Sequence, residues 1–193
     1  MPTVIETLPP QEGMNMRVGL LRHFRVNKPL PKGRFISQSD LLQWFDETEE
    51  AEVEVSDVEM GDIEWQGCYS SDLPRALATA QHVHSGEIIP LSALREVRLD
   101  PLFKRNIRLP LLVWAVLTKF AFNTSHRSQE ESPALLARRV EGVLDDILAE
   151  EQDVLIVSHG LIMLALKSEL KRRGFTGPDF KTPLNAKLYV YET

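Results

Sequence analysis

The chain has 193 residues with 22 Lys+Arg against 28 Asp+Glu, a formal net charge of -6 at pH 7. That balance argues against a broad nucleic-acid footprint, so an anionic ligand would need a local basic pocket. Apolar residues make up 43% and charged residues 26%, an ordinary soluble globular composition, and the lone Cys68 excludes an internal disulfide and a cysteine-built metal cluster.

The first sixteen residues, "MPTVIETLPPQEGMNM", lack the basic start and apolar run of a secretory signal, and residues 1–15 read as a flexible tail before one domain spanning 16–193. "MRVGLL" is an apolar strand that runs straight into Arg22-His23. Ser39 is placed to cap a helix beginning "DLLQWF". "CYSSDLPRALATAQHV" reads as strand, turn and helix, with Asp72 as cap, Pro74-Arg75 in the first turn, and Ala76, Leu77 and Ala80 on the packing face. "GEIIPLSAL" holds a further strand.

The segment from about 100 to 131 breaks the rhythm and reads as a short helical insertion, whose apolar content equally suits a homodimer contact. Its most apolar stretch, Leu109 to Leu117, is well short of the roughly 18 residues of a membrane span. "SPALLARRVEGVLDDILAE" is an amphipathic helix capped by Ser132, with Pro133 first and Leu135, Val140, Val143, Leu144 and Ile147 on its apolar face. "DVLIVSHG" is a strand ending in Ser158-His159-Gly160, then a helix stopped by Gly174, and "AKLYVYE" is the last strand. Strands alternating with long helices predict an α/β fold: a three-layer α/β/α sandwich around a mainly parallel sheet.

In such sheets ligands bind at the carboxyl ends of the strands. Arg22-His23, Ser71-Asp72 with Arg75, and Ser158-His159 all fall there. Two guanidiniums and two imidazoles suit a phosphoryl group, since arginine offers a planar fork of donors and histidine a nucleophile or acid. Taken singly, each has an ordinary reading: a satisfied histidine at a strand end, or a solvated arginine in a first helical turn. Their joint placement carries the inference.

With these motifs in order, the sequence resembles the histidine phosphatase superfamily, the phosphoglycerate mutase-like fold of branch 1, from Met16 to Tyr191. "LLRHF" matches its first Arg-His motif, "SSDLPRALATA" its second-arginine motif, "ALREV" its acidic segment and "VLIVSHG" its late His-Gly motif. The resemblance implies His23 as the phosphorylated residue, Glu96 as proton donor, and Arg22, Arg75 and His159 as phosphate ligands. It implies no metal and no cofactor.

Two departures stand out: Phe24 replaces the glycine of the first motif, and the usual continuation after Glu96 is replaced by "VRLDPLF". Phe24 either narrows the site's mouth or packs beneath it. Arg25, Asn27 and Ser71 are further candidates for substrate contact, Arg25 as a positive rim for a second anionic group. The expected function is a phosphomonoesterase acting on a small phosphorylated metabolite. Its rivals are a mutase of the same family and a non-catalytic phospho-ligand-binding protein. A cytoplasmic location is expected, with no nucleic-acid or membrane partner.

Overall fold

A computed structural model describes residues 15–103 and 105–193. Apart from Asn15, the tail expected over residues 1–15 lies outside them. In chain order the elements are β1 (Arg17–Arg22), β2 (Arg25–Val26), β3 (Ile36–Ser37), α1 (Gln38–Glu49), β4 (Val53–Glu54), β5 (Gly67–Ser71) and α2 (Pro74–Val83). They continue with β6 (Ile88–Leu91), a 3-10 turn (Ser92–Leu94), β7 (Arg108–Leu109), α3 (Leu111–Asn123), α4 (Pro133–Leu148), β8 (Val154–Ser158), α5 (Gly160–Arg172) and β9 (Leu188–Glu192).

The main sheet runs β6-β5-β8-β1-β9. Its first four strands are parallel, and β9 closes the edge antiparallel to β1. β5 and β8 are buried at every position, as strands covered on both faces must be. Alternation along the strands explains the three layers. Val18, Leu20, Val154 and Ile156 pack on the side of α4 and α5, against Val140, Leu144, Ile162 and Leu166. Leu21, Leu155, Val157 and Cys68 pack on the side of α2, against Ala76 and Ala80. Burial pushes the Cys68 thiol up to about 12, leaving it an inert packing group. Gly19 makes room for Trp65, since a Cβ there would come within 2.7 Å of the indole.

Several local expectations need correcting. The cap of α1 is Ser37, not Ser39: Ser37 Oγ accepts from Asp40 N at 3.1 Å while the Asp40 carboxylate accepts from Ser37 N. This reciprocal box sets the helix start two residues earlier. Asp72 does not cap α2, whose N-cap is Leu73 without a side-chain bond. Its carboxylate is instead taken by Arg95, at 2.6 and 2.7 Å. Ser132 caps α4 as expected, but Leu135 is exposed and Leu136 takes its place in the core. Gly174 terminates α5 with φ +93°.

The segment 100–131 is not purely helical. It enters through β7, paired antiparallel with β3, before α3 begins. Trp114 anchors α3 by packing with Ile36 and Leu41 and donating its Nε1–H to the Ile36 carbonyl at 2.9 Å.

Candidate active site

The parallel order of β1, β5 and β8 brings three separate stretches of chain to one end of the sheet. Arg22 ends β1 in register with Ser158 of β8, and His23 N donates to the Ser158 carbonyl at 3.0 Å. His159 is the N-cap of α5. From β5 the chain passes Ser71 and places Arg75, buried at 8% exposure, in the first turn of α2. Glu96 follows the 3-10 turn, which is held to β8 by Ser158 Oγ donating to the Leu94 carbonyl at 2.8 Å. Ser158 is therefore a structural tie.

The rings of His23 and His159 lie 4.9 Å apart. His23 Nδ1 is 2.6 Å from the Phe24 carbonyl. A carbonyl only accepts, so Nδ1 carries the proton and Nε2 keeps its lone pair. His159 Nε2 pairs with Ser71 Oγ at 2.8 Å. Arg22 is aimed by its Nη1 donating to the Pro183 carbonyl at 2.9 Å. Three buried polar atoms in this cluster have no partner among the described residues: Arg22 Nε, Arg75 Nη1 and His159 Nδ1. Buried donors left unpaired are costly, so a cluster of them marks where a ligand's acceptors fit.

Beside these groups opens a cavity of about 400 Å³. Arg22, Arg75, Glu96 and Gly160 line it, together with Glu49, Arg98, Lys119 and Lys181, and apolar side chains including Phe45, Leu99 and Leu164 complete it. A Cβ on Gly160 would sit 3.4 Å from Glu96 Oε2 and 3.8 Å from the Arg22 guanidinium carbon. Acid and arginine thus meet at the start of α5.

Burial dominates the electrostatics. Desolvation lowers the pKa of Arg22 and Arg75, with their mutual repulsion adding to the effect on Arg75. His23 is pushed down to about 3 by burial and by both guanidiniums, against its bond to Phe24. His159 is pushed down by burial, by His23 and by the same arginines. Glu96 moves up because burial outweighs the N–H groups of Leu161, Val97 and Ile162 and the nearby Arg22 charge. Neither Arg95 nor Arg98 pairs with it. Arg95 holds Asp72, and Arg98 holds Asp46 and Asp100.

The structure brings together His23, Arg22, Arg75, Glu96, His159 and Ser71. Arg25 and Asn27 stay outside. Backbone pairing of β2 with β4, and of Asn27 N with the Glu52 carbonyl, carries them to the exposed surface, and neither lines the cavity. Phe24 does not narrow the mouth. It is fully buried, its N–H donates to Thr79 Oγ1 at 2.9 Å, and its ring stands edge-on to His82. His126 lines a separate recess with Phe103 and Arg127. Among the described residues no cluster of three or more His, Cys, Asp and Glu side chains is placed to hold a metal ion. Sequence reasoning missed Glu49, Lys119 and Lys181. Only Lys119 carried a signal, as the one charge in the apolar run of α3.

The two neutral imidazoles give a pH signature. Their folded pKa values lie below the ordinary 6.5, so on acidification the unfolded chain takes up protons that the folded one refuses. The stability they contribute is fully present above about 6.5 and is lost as pH falls toward His23's value of about 3. The limiting slope is about 1.4 kcal/mol per pH unit for each histidine. Glu96 has the opposite sign: its contribution is present below its unfolded pKa and is lost as pH rises through its raised folded value. Urea unfolding of His159→Asn across mildly acidic pH should show a flatter decline than the parent. An unchanged decline would show that His159 is not held neutral in the fold.

Comparison with known proteins places this geometry. No curated protein sequence matches at a significant level. Among solved structures, one described as mycobacterial hydrolase 2 is similar at TM-score 0.61 and 19% identity, covering 92% of this chain and 82% of its own. A mycobacterial glucosyl-3-phosphoglycerate phosphatase is similar at TM-score 0.54 and 19% identity, covering 82% and 80%. A phosphoglycerate mutase from Bacillus anthracis is similar at 0.52 and 19%, covering 93% and 88%. At such identities these likenesses speak for the fold. The profile of the histidine phosphatase superfamily (branch 1) matches residues 20–193, and to that family the chain belongs.

Proposed function

We propose that the protein is a phosphomonoesterase that hydrolyses a small phosphorylated molecule through a phosphohistidine at His23. The observation that carries this reading is the set of partnerless buried atoms on Arg22, Arg75 and His159 beside the free Nε2 of His23. A phosphoryl group supplies the acceptors those atoms lack.

In this scheme the His23 Nε2 lone pair forms a bond to phosphorus as the ester P–O bond breaks. Arg22, Arg75 and a neutral His159 Nδ1–H neutralise the phosphoryl oxygens, the main task in phosphoryl transfer. Ser71 acts through His159: its hydroxyl engages His159 Nε2 and turns the other ring nitrogen to the substrate. Glu96 Oε1 accepts from Val97, Leu161 and Ile162, while Oε2 shares only the Leu161 N–H, so the transferable proton belongs on Oε2. The raised pKa of the buried carboxyl favours that acid form. It protonates the leaving alkoxide. As a carboxylate it then takes a proton from the water that attacks the phosphohistidine, breaking P–N and releasing orthophosphate. The charge neutralisation comes from side chains, with no metal or cofactor in the scheme. The role of a second-anion contact, expected of Arg25, passes to Lys119 and Lys181, which line the cavity.

Release of inorganic phosphate should be measured across sugar phosphates, nucleotides, phosphoamino acids and phosphoglycerates. Phosphoryl relocation without release would identify a mutase, and absence of both reactions would favour a binding protein. With a substrate in hand, Arg75→Lys and Arg22→Lys keep the charge but lose the planar fork. Each should lower kcat/KM at least about tenfold, roughly 1.4 kcal/mol. Near-normal kinetics would move that arginine out of the phosphate pocket.

A further inference from the structure

Charge is unevenly spread along this acidic chain. Residues 24–39 and 101–129 hold nine of its 22 Lys+Arg and none of its 28 Asp+Glu. The pairing of β3 with β7 joins these two segments in space. They also contain seven of the eleven large apolar side chains that stand exposed among the described residues.

The exposure has helical order. Leu112, Val116 and Phe120 follow one another at four-residue spacing on α3 and are 76%, 60% and 59% exposed, with Val113 beside them at 39%. The opposite face is buried through Trp114, Thr118, Ala121 and Phe122. Arg105 and Arg108 lie before the helix, Arg127 after it, and Lys119 on the exposed face itself, and all four are exposed. Among the described residues none of the four forms an ion pair with a carboxylate.

We propose that this basic, apolar face of α3 docks the protein on an anionic lipid surface. An apolar stripe bordered by cations is the pattern by which a helix lies in a bilayer interface, where apolar burial and attraction to anionic headgroups add. A second copy fits less well, because a two-fold contact would set the same cations against themselves. No helix among the described residues is long and apolar enough to cross a membrane, and docking on the surface needs no span. Lys119 belongs both to this face and to the wall of the catalytic cavity, so docking brings the cavity mouth beside the bilayer. The proposal stands apart from the catalytic reading, since its test is binding.

The full chain should be floated with vesicles of phosphatidylglycerol mixed equally with phosphatidylcholine, and with vesicles of phosphatidylcholine alone. Binding is expected to the anionic vesicles and to weaken with salt. The double variant Leu112→Glu/Val116→Glu should weaken it at least about tenfold, with circular dichroism and turnover of a soluble substrate unchanged. Arg105→Glu/Arg108→Glu, which leaves the apolar stripe intact, should weaken it by a similar factor. Failure to bind anionic vesicles, or undiminished binding by the Leu112/Val116 variant, overturns the proposal. So does a parent that binds no vesicle but forms a dimer which the same variant dissociates, since the face would then join two copies of the chain. Capture of an acidic protein at this face without vesicle binding overturns it equally.

Discussion

Replacing His23 by alanine is expected to lower turnover at least about 10⁴-fold, a loss of roughly 5–6 kcal/mol of transition-state stabilisation. The size follows from the position of the ring. Its Nδ1–H is committed to the Phe24 carbonyl at 2.6 Å, so the opposite nitrogen is presented unprotonated beside two guanidiniums. Burial lowers its pKa to about 3, which favours the neutral ring near neutral pH. The nearby Ser71 hydroxyl is held by His159, and Cys68 is packed inertly in β5. Rapid quenching with labelled substrate should trap acid-labile, base-stable phosphate on His23 in the parent and none in the variant. Label on a serine or aspartate, or normal turnover without any label, would sink the covalent mechanism.

Glu96→Gln is expected to separate substrates by their leaving group. Phosphorylation of the enzyme by an alkyl phosphate should slow by about 10²–10⁴-fold, while an aryl phosphate should lose less than about tenfold, because a nitrophenolate leaves without a proton. Single-turnover kinetics is the proper measurement, since the proposed scheme also uses Glu96 in the later hydrolysis. A glutamine carbonyl can keep the three N–H contacts of Oε1, and only the Leu161 contact of Oε2 is lost. Circular dichroism and the urea midpoint control for disturbance of the start of α5. Equal slowing for both leaving groups would make Glu96 a positioning residue at that helix. The acid would then be sought at Glu49, which lines the cavity, rather than at Asp100, which is tied to Arg98 and lies off it.

Most of the proposed catalytic set was legible because its members sit next to strong local signals. Arg22-His23 and Ser158-His159 close apolar runs, and Arg75 follows a strand, a turn and a proline. Once strands alternate with helices, parallel order puts all their carboxyl ends on one side, so neighbours in pattern become neighbours in space. Glu96 was legible only through the family motif, and its setting at the start of α5 was not. That setting depends on Ser158 holding the 3-10 turn to β8, a contact across 64 residues.

Where two local signals competed, the sequence alone chose wrongly or left the matter open. Ser37 and Ser39 are both good caps, and the reciprocal bond with Asp40 decides between them. Asp72 has the chemistry of a cap, but Arg95, 23 residues away, takes its carboxylate. Phe24 turned inward because Thr79 receives its N–H and His82 its ring. Arg25 and Asn27 were carried outward by pairing with a strand too short to show in the sequence. The cavity wall was the least legible part. Glu49, Lys119 and Lys181 come from three distant stretches, and the helix that carries Lys119 is seated by Trp114 on Ile36 and Leu41. Periodicity and capping act over a few residues and so determined which elements form and what their ends carry. Packing between elements acts across the whole chain, and it alone decided which charges line the cavity.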